Sequence, residues 1–233
     1  PLGRPGMRFF HDVWEEVHSL LTSRITGPDI SAGEIMALPA EHFDMECKVG
    51  GHVITGRTTM IPHGSQKYLI GCRGSQIKHK DRMQWWLSHL VSAATQNTVT
   101  TLIVGRGHNK PAAGISFDPM NVDTAKAILH DLAELAAQWT DAPMPFAPDT
   151  SGAYWEKAQK EETGDTTESD ALDVARKAWA PPDPRYDAND KADPYMWHAF
   201  GDAGPMRREE FRTIAETVFK PLLDNEERLK FEG

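Results

Sequence analysis

Two carboxylates, Asp44 and Glu46, are the side chains of this sequence best suited to hold a divalent cation. One residue separates them, and they stand just before a stretch rich in Val, Ile and Thr. Carboxylate oxygens are the hard ligands that Mg²⁺ prefers, so the pair could hold one ion with water molecules, aided by His52 or His63. A metal site also needs ligands that converge from several segments and partners that orient them. Our interpretation is therefore a solvated loop, and we expect no catalytic residue and no bound metal.

A second possible metal set combines His52, His63 and His79 with Cys47 or Cys72. No short ligand pair such as C-x-x-C or H-x-x-x-H accompanies them in the sequence. Two cysteines are also too few for a disulfide scaffold or for a zinc site with four thiolates. We interpret the histidines as surface or core residues and the cysteines as reduced and partly buried. No nucleotide-binding loop is present either, so we expect no cofactor.

The composition and charge predict a globular domain that does not coat nucleic acid. With 233 residues, of which 39% are hydrophobic, the chain is long enough for one large or two small domains. A net charge of -9 means that any DNA contact must be local. No apolar run approaches the roughly 20 residues that cross a bilayer. The chain begins at Pro1 without a signal peptide, so we expect a cytoplasmic domain of a larger polypeptide.

The first part of the sequence alternates between strand and helix patterns. Stretches rich in β-branched residues, separated by Gly and Pro, predict a mixed central sheet from Cys47 to Phe117. Its first stretch, Cys47 to Ile61, contains Gly50 and Gly51 and is compatible with a hairpin or with one long bulged strand. The remaining strands are expected at Lys67–Cys72, Val99–Val104 and Ala112–Phe117. Apolar residues at helical spacing predict helices at Met7–Ser23, Lys80–Gln96 and Asn121–Trp139.

The second part of the sequence is poor in strand patterns. Pro143, Pro145 and Pro148 predict an extended connector, because proline cannot donate a backbone hydrogen bond and restricts the residue before it. A loop is expected from Pro181 to Pro205, and Pro221 is expected to bend or end the last helix. The helices of this part are predicted at Ser151–Lys160, Ala171–Trp179 and Arg207–Leu223.

Several short motifs occur in a characteristic order along the chain. They are Leu87-Ser88-His89-Leu90, Pro143-Met144-Pro145-Phe146, Ala175-Arg176-Lys177-Ala178-Trp179, Asp193-Pro194-Tyr195 and Val218-Phe219-Lys220-Pro221-Leu222-Leu223. Each motif alone is common, but their combination resembles the C-terminal domain of RecC, the gamma chain of exodeoxyribonuclease V in the RecBCD helicase-nuclease. The resemblance extends over nearly the whole chain.

The resemblance implies an α/β fold related to the PD-(D/E)XK nucleases, with a mixed sheet flanked by helices and without a working metal site. Cleavage by two metal ions needs Asp or Glu on adjacent strand ends and a nearby Lys. Thr59 stands where the first Asp is expected, and Gly71 and Arg73 replace the Asp and Lys of a D-x-K pair. We predict a nuclease-like core in residues 1–148 and a helical extension in residues 149–233 that packs on the same domain.

The resemblance also implies a role in recombinational double-strand-break repair. The domain is expected to guide DNA and to dock against the nuclease-helicase and second helicase subunits, while catalysis occurs in those partners. Two alternatives stay open. One is an active Mg²⁺-dependent DNA nuclease whose site has migrated to Asp44 and Glu46. The other is a protein-docking module that does not contact DNA.

The candidates for DNA contact are the cations near turns of the first part. Flexible cations beside glycine-containing turns can bind a phosphate backbone and position it without reading bases. The same residues could serve only for solubility, because charged loops are common on protein surfaces. Trp85 lies off the apolar stripe of its helix, so it could stack on a base, although burial is our preferred interpretation. The candidate cations are Arg57, Arg73, Lys78, Lys80, Arg82, Arg106 and Lys110.

Overall fold

A computed structural model describes residues 39–63, 66–95, 98–107, 112–160, 167–180 and 190–229. The predicted helix Met7–Ser23 and the candidate Lys110 lie outside these residues. Two compact units are formed. The first unit contains the described residues of three segments, Pro1–Ile77, Trp85–Lys126 and Glu226–Gly233. The second unit contains the described residues of two segments, Lys78–Gln84 and Ala127–Asn225. The predicted boundary between residues 148 and 149, and the packing of the second part on the first, stay predictions.

The first unit contains a six-stranded mixed sheet whose strands follow one another in sequence order. Only β3 and β4 pair in parallel, and all other neighbours are antiparallel. A parallel pair needs a long crossover, which helix α1 at His79–Ala94 provides here. The mixed α/β class predicted from the sequence is confirmed. The strands are β1 (Glu41–Val49), β2 (His52–His63), β3 (Gln66–Gln76), β4 (Val99–Arg106), β5 (Ala112–Phe117) and β6 (Glu226–Leu229).

Strands β1 and β2 form the hairpin that the sequence left open as one of two possibilities. Val49 pairs with His52 across the turn, where Gly50 adopts a positive φ of 55° that glycine tolerates without strain. Successive side chains of β1 alternate between burial and exposure, as expected for a strand with one face on a core. The hairpin also begins earlier than predicted, because Glu41 already pairs with Met60.

Helix α1 packs on the sheet of the first unit through the part that begins at Trp85. The Trp86 ring lies 4.9 Å from that of Phe117 on β5, and the imidazole of His89 stacks on Trp86 at 5.5 Å. The Nδ1 atom of His89 is 3.0 Å from the Thr101 hydroxyl on β4. His89 and Thr101 are completely buried, so this hydrogen bond satisfies two polar groups inside the core.

The second unit is helical, apart from short 3-10 turns. Its core joins Tyr154, Ala171, Ala175, Phe211 and Ala215, and the Tyr154 and Phe211 rings meet edge to face at 5.3 Å. No described helix of the chain is long and apolar enough to cross a membrane. The helices after α1 are α2 (Val122–Gln138), α3 (Pro148–Ala158), α4 (Glu168–Trp179), α5 (Pro194–Phe200) and α6 (Glu210–Asn225).

Three details of the second half differ from the sequence prediction. Of the two effects expected of Pro221, bending or ending the last helix, the second is excluded, because the helix continues to Asn225. The segment Asp193-Pro194-Tyr195 was expected in a loop but begins α5, because the Asp193 carboxylate accepts a hydrogen bond from the Tyr195 amide at 2.8 Å and Pro194 fits the first helical turn. Strand β6 was not predicted, since Glu226, Glu227 and Arg228 do not resemble a buried strand.

The buried histidine predicts a pH-dependent stability. Burial lowers the pKa of His89 from 6.5 to about 4 in the folded protein. The folded state therefore binds fewer protons than the unfolded state between these values, so this group's contribution is present above pH 6.5 and is lost as the pH falls toward 4. We expect the free energy of unfolding to fall by up to about 1.4 kcal/mol per pH unit within this window.

Urea unfolding between pH 4 and pH 7 measures this dependence, with His89→Gln compared to the wild type. The difference in slope between the two proteins isolates His89 from the carboxylates that titrate nearby. His198→Gln serves as the control for replacing a histidine, because His198 is exposed on the surface. Equal slopes for His89→Gln and the wild type would contradict the prediction.

Candidate nucleic-acid interface

Gly71, one of the three positions implied to have lost a nuclease ligand, lies directly under the indole of Trp85. A Cβ atom built on Gly71 would stand 2.5 Å from Cε2 and Cζ2 of Trp85, closer than two carbon atoms can approach. The carboxylate of a D-x-K pair therefore has no room at this position of β3. Trp85 is half-buried, which agrees with the packing role preferred from the sequence over base stacking.

Thr59, the second of these positions, lies on the exposed face of the β1–β2 hairpin. Its hydroxyl is 3.0 Å from Nδ1 of His42, the residue opposite it on β1. The backbone pairing of β2 with β3 covers only Ile61–His63 and Gln66–Tyr68. Thr59 is therefore paired with β1, and the ladder to β3 ends before it reaches Thr59 or Gly71.

The alternative carboxylate pair lies on the same exposed face of the hairpin. Asp44 faces Arg57 across the ladder, and its carboxylate accepts a hydrogen bond from the Arg57 guanidinium at 2.7 Å. This hydrogen bond, together with the charge of Arg57, lowers the pKa of Asp44. Glu46 lies 3.6 Å from the Lys48 ammonium. Within the described ranges, no group of three or more His, Cys, Asp or Glu side chains could hold a metal ion.

Two of the predicted cations come together at the carboxyl end of the parallel strands. Arg106 at the end of β4 is the register partner of Gln76 at the end of β3. One residue earlier, a Cβ on Gly105 would lie 3.6 Å from Cβ of Arg73. Arg106 is exposed and Arg73 is half-buried. The two residues thus belong to one end of the sheet, and we call Arg73 and Arg106 the strand-end arginines.

The basic run at the start of α1, residues 78–82 of the second unit, contains both surface and buried side chains. Lys80 is exposed and Lys78 is half-buried. Arg82, in contrast, is 6% exposed, and its guanidinium lies 3.3 Å from the Glu156 carboxylate and 2.9 Å from Nδ1 of His79. A phosphate could reach Arg82 only by opening these contacts. We therefore do not include Arg82 in the DNA contacts proposed below.

Sequence reasoning missed a cavity of about 420 Å³ in the second unit. Its walls combine Trp179 and Arg176 of α4 with Asp202, Met206 and Arg207 of the turns after α5. No local signal marks this site, because its residues come from segments more than twenty positions apart in the sequence.

The fold is that of a mixed α/β domain, and its described residues contain no group of three or more His, Cys, Asp or Glu side chains that could hold a metal ion. The model of the RecC C-terminal domain family matches residues 1–159, which is 159 of the 233 residues. The chain belongs to this family, and thereby to the RecBCD, or exodeoxyribonuclease V, complex of DNA repair and recombination. No curated protein matches the chain.

The family match also limits the resemblance drawn from short motifs. Leu87–Leu90 and Pro143–Phe146 lie inside the matched residues, as do the strand-end arginines. The motifs at Ala175–Trp179, Asp193–Tyr195 and Val218–Leu223 lie beyond residue 159. The helical second half is therefore not covered by the family model.

The close contact at Gly71 predicts a steep response to side-chain size. Gly71→Ala should destabilise the protein by about 1–3 kcal/mol, because the added methyl group must displace a rigid indole ring. Gly74→Ala on the same strand is the matched control, since nothing lies within 4 Å of its Cβ position. Urea unfolding at neutral pH measures both variants.

A double variant tests the cause of this destabilisation. Trp85→Ala removes the ring that Gly71→Ala would displace, so the two substitutions together should cost less than the sum of their separate effects. Equal stability of Gly71→Ala and Gly74→Ala, or strict additivity in the double variant, would show that the indole does not restrict position 71.

Proposed function

We propose that this chain is a non-catalytic domain that guides DNA and docks subunits in a RecBCD-type helicase-nuclease acting in recombinational double-strand-break repair. The observation that carries the proposal is the contact between Trp85 and Gly71, where an indole fills the space that a carboxylate ligand would need. It supports a fold of the PD-(D/E)XK type in which packing has replaced the metal ligand. We propose a cytoplasmic location, as for other DNA repair complexes.

The geometry of the hairpin disfavours the competing nuclease hypothesis. A metal at Asp44 would have to displace the Arg57 guanidinium, which already donates to the carboxylate from both Nε and Nη2. Glu46 has a cation of its own nearby, Lys48. Both carboxylates are exposed to water, and their charged neighbours are cations, which compete with a metal ion for the carboxylate oxygens.

The proposed DNA contacts are few and local, as the net charge of -9 requires. Arg73 and Arg106 supply them in the first unit, and Lys78 and Lys80 supply them in the second. Arginine binds phosphate through a planar fork of donors, and lysine binds it as a compact point charge. Such contacts hold the backbone of a strand without selecting its sequence, which is what a guiding surface needs.

Docking of the partner subunits is proposed to rely on apolar surface. Val53 near the tip of the β1–β2 hairpin is 58% exposed, and Leu87 on α1 is 38% exposed. Exposed apolar side chains gain free energy when a partner covers them, at roughly 25 cal/mol per Å² of buried area. We propose the nuclease-helicase and second helicase subunits as these partners, together with DNA.

The DNA-guiding role predicts salt-sensitive binding that depends on the strand-end arginines. Replacing Arg73 and Arg106 by Gln should weaken binding of a labelled forked DNA and reduce the slope of log K against log salt by about 2, roughly one for each lost phosphate contact. Fluorescence anisotropy across a salt series measures the slope. Arg57→Gln is the control, since Arg57 is already paired with Asp44. An unchanged slope in the double variant would favour a docking module without DNA contact.

The absence of catalysis is tested separately from DNA binding. We expect the purified chain to leave linear DNA intact in the presence of Mg²⁺ or Mn²⁺, because no carboxylate is available at Gly71. Electrophoresis of the incubated DNA detects cleavage. Cutting by the wild type that is abolished in Asp44→Asn would establish the migrated nuclease site and overturn the proposal.

A further inference from the structure

The cavity of the second unit has a preformed wall. Trp179 is 1% exposed, and its ring meets Phe200 edge to face at 6.5 Å. Gly204 lies between the lining residues Ala203 and Met206 and has a φ of 68°, and a Cβ there would stand 3.0 Å from the Trp179 ring and 2.8 Å from Met206. The backbone can approach the indole this closely only because position 204 is glycine. This close packing fixes the Trp179 ring that lines the cavity.

The lining of this cavity combines groups of opposite charge around the indole. Arg176 pairs with Asp173 on its own helix, while Arg207 has no ion-pair partner among the described residues. Asp202 lies 2.8 Å from the Lys191 ammonium, and a hydrogen bond from that group lowers its pKa, so Asp202 remains ionised at neutral pH. A carboxylate has about four acceptor positions, so Asp202 can accept further hydrogen bonds.

Helix α5, which precedes the turns that line the cavity, carries two exposed aromatic rings. Tyr195 is 87% exposed and Trp197 is 52% exposed. Trp197 forms a side-chain hydrogen bond with Asp202, which places its indole beside the cavity lining. Large aromatic side chains with this exposure are uncommon on a free surface, and beside cations they are typical of surfaces that bind single-stranded nucleic acid.

We propose that this cavity and the adjoining α5 aromatics bind one nucleotide of a single strand. The phosphate lies against Arg176 and Arg207, the base enters beside Trp179 and donates a hydrogen bond to Asp202, and Trp197 stacks on a neighbouring base. An acidic peptide fits less well, because its carboxylates would meet Asp202. The choice of nucleic acid as ligand rests on the proposed DNA-guiding function, whereas the site lies outside the residues matched by the family model.

The test compares two neighbouring arginines in the full chain. Arg207 lines the cavity, and Arg208 is exposed beside it without lining it. Binding of a short fluorescein-labelled oligodeoxycytidylate is followed by anisotropy. Arg207→Gln should weaken binding about tenfold, as expected for loss of a charge-assisted hydrogen bond to phosphate, and Arg208→Gln should weaken it less than about twofold. Thermal unfolding verifies that both variants keep the stability of the wild type.

The contributions of the base and of Trp197 are tested with an oligomer that lacks bases and with a Trp197 variant. An oligomer of the same length without bases should bind at least about fivefold more weakly, and Trp197→Ala should reduce binding by a similar factor, since stacking contributes to each bound base. Equal binding of the abasic oligomer would overturn the proposal in favour of a simple anion site. Stronger competition by oligoglutamate than by unlabelled oligodeoxycytidylate would overturn it in favour of an acidic protein segment.

The strand-end variants distinguish failure of this inference from failure of the proposed function. If Arg73→Gln with Arg106→Gln lowers binding of forked DNA while Arg207→Gln behaves like the wild type, the guiding function stands and the nucleotide site is refuted. If only Arg207→Gln lowers binding, the nucleotide site stands and the DNA contacts of the first unit are refuted.

Discussion

The contact between the Trp85 indole and the backbone of Gly71 sets how closely helix α1 lies on strand β3. The same helix connects the only parallel pair of the sheet, so its distance from β3 also affects β4 and the buried hydrogen bond between His89 and Thr101. Protein cores are packed as densely as organic crystals, so a change in the distance between α1 and β3 would shift the side chains packed between the helix and the sheet. The packing of the Trp85 indole on Gly71 therefore contributes to the stability of the sheet.

Much of the central sheet could be predicted from the sequence, because strands buried on both faces consist almost entirely of β-branched and other apolar residues. Val99–Val104 and Ala112–Phe117 were located in this way. The edges were harder to predict. Glu41 and the charged strand Glu226–Leu229 pair through their backbones, and the side chains of an edge strand carry little information about that pairing.

The candidate site was only partly predictable for a similar reason. The sequence shows a side chain at position 71 that cannot hold a metal, but the indole that covers this position comes from a different element and could not be predicted. Lys80 and Arg82 stand in one basic run, yet only Arg82 is buried against Glu156, because that depends on α3 packing on the first turns of α1. The cavity at Trp179 could not be predicted from a local sequence pattern, since only tertiary packing brings its lining residues together.

Because of strand β6, completion of the sheet in the first unit depends on residues that come much later in the sequence than the other strands. It pairs with β5, although the helices from Val122–Gln138 to Glu210–Asn225 separate the two strands in sequence. During synthesis on the ribosome, β5 emerges long before its edge partner and must wait for it with unpaired backbone groups. Pairing over such a separation is slow, and an uncovered strand edge is prone to association with other chains. The sheet can thus be completed only after the helical second unit has been synthesised and β6 has left the ribosome.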